Sequence, residues 1–258
     1  MSDVQVGAKG VDLAGFIEYI KEATADPIGR LLGLGDYTDG VSPSNRKLLR
    51  SAFVKGELYD TVQDMLDESA GDQVGEFLAA IIGTVNRWDV VTSGHHFHHF
   101  ERDNQNGDSA IAKMVNAPYV EDGQAVVIRY VFPATKKWPE ANLDVWLRHG
   151  EGSGESFAAP LNQLEKQMRA FTAHIYLLAH HHKLVAARAV KLQESPSAET
   201  SLVATDSLLV CTGSWLRGYM PNESTYAERD MLVPLATGAP IVKINRREDG
   251  RLRIRCEI

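Results

Sequence analysis

Seven of the nine histidines in this chain lie in two short clusters. The first is the segment 94–100, Gly-His-His-Phe-His-His-Phe, and the second is the run His180–His182. Imidazole is the commonest metal ligand in proteins and titrates near neutral pH. Such clusters therefore indicate a metal site, a proton relay or a pH-sensitive switch. The alternative is that they are partly buried side chains, hydrogen-bonded to backbone, with no chemical role.

The first cluster offers two metal ligands in either regular conformation. In a helix, His95 and His99 would lie four residues apart on one face, and in a strand His96 and His98 would share a face. A useful site also needs a third ligand and groups that fix the imidazole tautomers. Candidates for that third ligand are Glu101, Asp103 and Asp108, which are close in sequence, and His174 or His180–His182, of which His181 is taken for the predicted set. We therefore predict a divalent transition metal such as zinc, held by His95, His96, His98, His99 and His181.

The C-terminus carries a second candidate site, made of basic residues. The dipeptide Asp249-Gly250 separates two alternating runs, a pattern that predicts a β-hairpin over residues 241–258. One face would be apolar, and the other would carry Lys243, Arg247, Arg251, Arg253 and Arg255. Like charges that face each other across a strand pair repel, so this face favours an anionic partner such as nucleic acid. The alternative is neutralisation by the chain's own carboxylates.

Two patterns define the elements that must position these residues. Apolar residues spaced three and four apart run from Leu161 to Leu192, which predicts one long helix that packs against another helix, in this chain or in a second copy. Residues 183–193 also have β character, so the alternative is a helix that ends near His182. Short amphipathic patterns before residue 93 are typical of helices. We expect an α+β fold, with a helical region over residues 1–93 and a mixed region over 94–258. The second region would hold the long helix and a mostly antiparallel sheet that ends in the hairpin, and residues 150–156 are a candidate linker within what could be one continuous domain.

Composition limits the class of protein. A chain of 258 residues can form one large domain or two small ones. The formal charge of -7 and the pI near 5.7 argue against an extensive nucleic-acid-binding surface but allow a local basic patch. Two cysteines do not make a disulfide framework. Without a signal-like or membrane-spanning apolar segment, we expect a cytoplasmic location and no membrane partner.

These observations favour a non-secreted binding or assembly subunit. It would engage a polyanion, nucleic acid foremost, through the hairpin and form homo-oligomers through the long helix. The alternative is a metal-dependent hydrolase, either a phosphodiesterase or a nuclease, that uses both histidine clusters and holds substrate phosphate with the arginines. A third interpretation is a structural protein with inert histidines. Convergence of the two clusters on one ion would favour the hydrolase.

Overall fold

The computed structural model describes residues 1–40, 59–100, 105–121, 123–152, 154, 156–194, 201–222, 225, 228, 231 and 233–258. Within these residues, four α-helices are present: α1 (Leu13–Ala23), α2 (Asp60–Ala80), α3 (Gly107–Val115) and α4 (Ala158–Ala170). The same residues form twelve strands: β1 (Leu31–Gly33), β2 (Trp88–Thr92), β3 (His99–Phe100), β4 (Gln105–Asn106), β5 (Tyr119–Val120), β6 (Val126–Phe132), β7 (Ala141–Arg148), β8 (Ile175–Leu178), β9 (Leu184–Glu194), β10 (Leu202–Thr212), β11 (Ile241–Arg246) and β12 (Leu252–Glu257).

Two larger sheets carry the architecture. The first has the order β1-β2-β5 and is parallel throughout. The second has the order β6-β7-β8-β10-β9 and is mixed, because β7, β8 and β10 run parallel while β6 and β9 pair antiparallel at its edges. Two-stranded ladders join β3 to β4 and β11 to β12. The fold is therefore mixed α/β and contains the predicted C-terminal hairpin.

Strand alternation builds three apolar clusters and hence a layered molecule. On β7, Leu143, Val145 and Leu147 point into a core shared with Leu34 and Val90 of the first sheet. The opposite face of the second sheet packs against α4 through side chains that include Trp146, Tyr176, Leu164 and Met168. The outer face of the first sheet packs against the other helices through side chains that include Phe16, Phe77, Trp88 and Ile111. The two sheets thus face each other, with helices outside both.

The predicted long helix is wrong beyond Ala170. The helix α4 ends there, Phe171 adopts extended backbone, and strands β8 and β9 form the rest of the periodic run. Every residue of β8 is buried, because this strand is covered on both faces. A strand that is buried on both faces is a continuous run of apolar residues. Such a run contains apolar residues three and four positions apart, which is also the spacing of a helix face. The structural basis for self-association through a helical seam is therefore lost, and homo-oligomer formation stays an untested prediction.

Two further expectations are corrected in part. The region 1–93 contains α1 and α2, but it also supplies β1 and β2, the edge strand and the central strand of the first sheet. The second sheet is mixed rather than mostly antiparallel. The short apolar strands 31–33 and 88–92 resemble helical segments when only spacing is considered. In the part of the chain that the structure covers, no helix is long and apolar enough to cross a bilayer.

Candidate metal centre

Four metal-binding side chains follow the ends of four strands. Asp36 comes after β1, His95 after β2, His149 directly after β7 and His180 after β8. Carboxyl ends of parallel strands meet at one edge of a sheet, and ligands bind there in open α/β folds. Because the two sheets face each other, their edges bring these loops together. One ligand atom from each of the four side chains lies within 4.8 Å of the other three, so Asp36, His95, His149 and His180 can hold a metal ion.

Two close contacts define this donor set. The Nδ1 atoms of His95 and His180 are 3.1 Å apart, and Nε2 of His149 lies 3.2 Å from Oδ2 of Asp36. The other ring nitrogen of His149, Nδ1, donates to the Leu34 carbonyl oxygen at 2.5 Å. That hydrogen bond orients the ring so that Nε2 faces the carboxylate, as the outer-shell partners of metal-bound histidines do.

The Asp36 carboxylate is held by backbone on one side only. Its Oδ1 accepts hydrogen bonds from the backbone N–H groups of His95 and His96, at 2.5 and 2.7 Å. Its Oδ2 is buried and has no aligned hydrogen-bond partner, and the same is true of His149 Nε2. A buried acceptor and a buried ring nitrogen that face each other need a proton or a cation between them. This pair therefore has the chemistry of a cation site.

Gly94 lets the loop approach Asp36 closely. A Cβ atom at this position would lie 2.0 Å from Asp36 Oδ1 and 2.2 Å from the Asp36 nitrogen, which no side chain can tolerate. The N–H of Gly94 also donates to Oδ2 of Asp108, at 3.0 Å, at the start of α3. The histidine loop is thus fixed to Asp36 and to α3 on either side.

Three ionisable groups of this site, Asp36, His149 and His180, have pKa values shifted by burial and by one another. Burial opposes ionisation of Asp36, but the nearby charge of His149 and the hydrogen bond from the His96 backbone keep the pKa of this carboxyl well below its usual range. Burial likewise opposes a charge on His149, yet Asp36 outweighs it and raises the pKa of this imidazole to about 9. Burial, with the nearby charges of His149 and His95, lowers the pKa of His180 to about 4. The site therefore combines a carboxylate, a neutral imidazole and an imidazole whose proton balances the carboxylate.

A second carboxylate–imidazole pair adjoins the first. Oδ1 of Asp3 lies 3.3 Å from Nε2 of His182, and Asp3 Oδ2 accepts from the backbone N–H of His180 at 3.1 Å. The Gln5 amide nitrogen is 3.4 Å from the same His182 nitrogen. Burial opposes ionisation of Asp3, but its hydrogen bond and charge interaction with His182 lower the pKa of its carboxyl. Asp3 and His182 are thus a second carboxylate–imidazole pair next to the group of four, linked to it through the backbone of His180.

Backbone strain is concentrated at the same place. Positive φ angles occur at five non-glycine residues of the site: Asp3 (51°), Gln5 (51°), Asp36 (55°), His180 (71°) and His182 (54°). This left-handed region is costly for residues with a Cβ, and in folded proteins it is concentrated at functional sites. The surrounding fold therefore maintains this arrangement of donors at a cost in conformational energy.

The structure brings together part of the sequence-predicted metal set. His95 belongs to the donor group, and His181 is buried beside His180, with ring centroids 5.8 Å apart. His96 pairs with Asp39 (3.2 Å) and His98 pairs with Asp67 (2.6 Å). His99 lies in β3, exposed, with its ring against Phe97. The two clusters therefore converge through His95 and His180.

Sequence reasoning missed Asp36, His149 and Asp3. It weighed His180 as one of several possible further ligands but took His181 instead for the predicted metal set. A signal for three of them was present. Asp36, His149 and His180 each come one to three residues after a short apolar run, which is where a parallel strand places its ligands. The spacing of residues within each run did not show that the ends of these runs meet.

The predicted basic residues form a separate group on the hairpin. Lys243 lies opposite Arg255 and pairs with Glu257 at 2.6 Å, and Arg251 pairs with Asp249 at 2.8 Å. Arg253 lies opposite Asn245, and Arg247 closes the turn through its backbone N–H to the Arg251 carbonyl. All five basic side chains are exposed.

No protein-family model matches this chain, and no curated protein is significantly similar to it.

Proposed function

We propose that this protein is a metal-dependent phosphoester hydrolase. The observation that carries the proposal is the convergence of Asp36, His95, His149 and His180 from four strand ends. Mixed carboxylate and imidazole donors suit divalent transition ions such as Zn²⁺ and Mn²⁺. A chain with inert histidines has no need to bring them together from positions 36 to 180 around a buried carboxylate.

The burial of the four residues divides them into two roles. Asp36 and His149 are buried and His180 is partly buried, whereas His95 is exposed. Catalytic metal sites commonly use three protein ligands and keep one position open for water or substrate. We assign Asp36, His149 and His180 as ligands and His95 as the proton-transfer group at the open position. Burial and the charge of His149 lower the pKa of His95, so that its ring is neutral before it takes up a proton.

The reaction follows from these roles. A divalent ion held by Asp36, His149 and His180 would supply Lewis-acid activation of a water molecule. His95 would take the proton that this water loses as its oxygen bonds to phosphorus. The bond from phosphorus to the ester oxygen would break, with its electron pair leaving on that oxygen, and His95 would return the proton there, so the products are an alcohol and a phosphate with one fewer ester bond.

The second donor pair favours phosphoesters over other substrates. Asp3 and His182 form a carboxylate–imidazole pair beside the first site, and we assign them as donors to a second divalent ion. Two neighbouring divalent ions stabilise both the attacking and the leaving oxygen in an in-line displacement at phosphorus. The positive charge of two divalent ions would exceed the negative charge of the Asp3 and Asp36 carboxylates, so that the site would attract an anionic substrate.

The test uses untagged protein, because a histidine tag would itself bind metal. Metal content is measured by mass spectrometry, and hydrolysis of bis(p-nitrophenyl) phosphate is followed after metal removal and after reloading with Mn²⁺ or Zn²⁺. We expect metal-dependent turnover in the parent. The variant His149→Gln should lose turnover by more than about 100-fold, beyond the usual cost of removing an outer-shell hydrogen bond.

The matched control is His99→Gln, which removes an exposed imidazole from the same histidine-rich segment without touching the donor group. It should retain the parent's metal content and turnover. A parent that binds no metal, or equal losses in both variants, would overturn the proposal.

A further inference from the structure

The exposed face of the C-terminal hairpin is a basic surface on an acidic protein. We call this face the basic ribbon; it consists of Lys243, Arg247, Arg251, Arg253 and Arg255. Residues 241–258 contain six basic side chains and three carboxylates, whereas the remaining chain has twenty-one basic and thirty-one acidic residues. The positive charge is thus concentrated in one element.

The ribbon is firmly attached to the body of the protein. Its other face carries Val242, Ile244, Leu252, Ile254 and Cys256, which pack against the core between the two sheets. The Arg188 guanidinium donates to the Ile254 carbonyl, and Arg246 donates to the Phe132 carbonyl at 2.8 Å. The apolar face fixes the hairpin, so its basic side chains are directed outward.

Intramolecular pairing neutralises only part of the ribbon. Glu257 neutralises Lys243, and Asp249 neutralises Arg251. Within the described ranges, Arg253 and Arg255 have no ion pair, and Arg255 lies directly across the ladder from another cation, Lys243. Two guanidinium groups on this face are therefore left without a carboxylate partner, and an external anion would supply one.

We propose that the basic ribbon binds the phosphate backbone of nucleic acid. The guanidinium group offers a planar pair of donors that matches phosphate oxygens. Residues two apart on a strand are about 6.8 Å apart. Arg251, Arg253 and Arg255 therefore present a row of guanidinium groups to a polyanion that carries a regular row of negative charges. This inference does not depend on the metal centre, and a phosphoester hydrolase with such a surface would hold polymeric substrates.

The experiment measures fluorescence anisotropy of a labelled DNA duplex titrated with the full chain in EDTA, so that no hydrolysis occurs. The test variant carries Arg253→Ser and Arg255→Ser. The control carries Arg129→Ser and Arg169→Ser, which removes the same charge from exposed arginines that pair with Asp144 and Glu165. We expect the ribbon variant to bind at least tenfold more weakly. The slope of log affinity against log salt should fall by about two, close to one for each lost phosphate contact.

Far-UV circular dichroism and the thermal midpoint should match the parent in both variants, because the substituted side chains are exposed. Undetectable binding by the parent, or equal weakening in the two variants, would overturn the proposal. So would tighter binding to poly-glutamate than to the duplex, because that result would assign the ribbon to an acidic protein partner. Failure of turnover at the metal centre would leave these results unchanged.

Discussion

His95 and His180 are 85 positions apart in the chain, yet their Nδ1 atoms lie 3.1 Å from each other. Each residue sits just beyond the end of a central strand, one in each sheet. The contact therefore joins the two sheets at the edge where Asp36 and His149 also emerge. A metal site built this way requires both sheets to be folded and packed.

Substitution of His95 should separate binding from turnover. In His95→Gln, we expect the metal content of the parent and a fall in turnover of about 10²–10⁴-fold, the usual contribution of a proton-transfer group. The reason is that His95 is exposed, while Asp36, His149 and His180 remain as ligands. Metal analysis and steady-state kinetics on one preparation check this. Loss of metal in the variant would show instead that His95 is a fixed ligand.

A methyl group at Gly94 should disturb Asp36 directly. In Gly94→Ala, the new Cβ would overlap Oδ1 and the nitrogen of Asp36, so we expect metal affinity to fall at least tenfold and the thermal midpoint to fall. The control is Gly75→Ala in α2, where no atom lies within 4 Å of the added carbon. That change should stabilise the protein by about 0.5–1 kcal/mol. Unaltered metal affinity in Gly94→Ala would contradict the described geometry.

Metal binding should release one proton near neutral pH. The pKa of His149 is raised to about 9, so the metal-free protein keeps this ring protonated at pH 7, whereas His180, with a pKa of about 4, is already neutral. Coordination at Nε2 of His149 must displace that proton. Affinity should therefore rise about tenfold per pH unit between pH 6 and 8 and level off near pH 9. Calorimetry in two buffers of different ionisation enthalpy counts the protons, and pH-independent affinity would exclude His149 as a ligand.

The end of α4 gives a prediction about stability. Ile175 is 3 % exposed in the core between the sheets, whereas Phe171 is 51 % exposed. Ile175→Ala should lower the free energy of unfolding by about 2–5 kcal/mol. Phe171→Ala should change it by about 0.5 kcal/mol or less. Urea denaturation of both variants checks this, and an equal cost would indicate that the periodic run is buried along its whole length.

The sequence pattern predicted the C-terminal hairpin, because its turn and strands depend on residues that are close together in the chain. Asp249-Gly250 marks a tight turn, and the alternation of basic and apolar residues after it predicts a strand with one basic and one apolar face. The pairing of Lys243 with Arg255 across the ladder follows from the same register. The histidine clusters indicated where a metal site could lie, and His95 and His180, one from each cluster, belong to the group that could hold an ion.

The remaining features depend on long-range pairing. The segment 31–33 becomes a strand because it pairs with β2, more than fifty residues later, and that pairing places Asp36 beside His95. His149 is a lone histidine in the sequence, and only the parallel alignment of β7 with β8 brings it near His180. Spacing within a segment carries no information about which strand ends share an edge.

The most direct test of the metal centre is anomalous X-ray diffraction from crystals of untagged protein grown with Zn²⁺ or Mn²⁺, recorded on both sides of the metal absorption edge. The proposal predicts an anomalous peak about 2.0–2.2 Å from Asp36 Oδ2, His149 Nε2 and a ring nitrogen of His180. A second peak should lie beside Asp3 and His182. If the protein binds metal in solution but its crystals show no anomalous peak among Asp36, His149 and His180, the proposed metal site is contradicted.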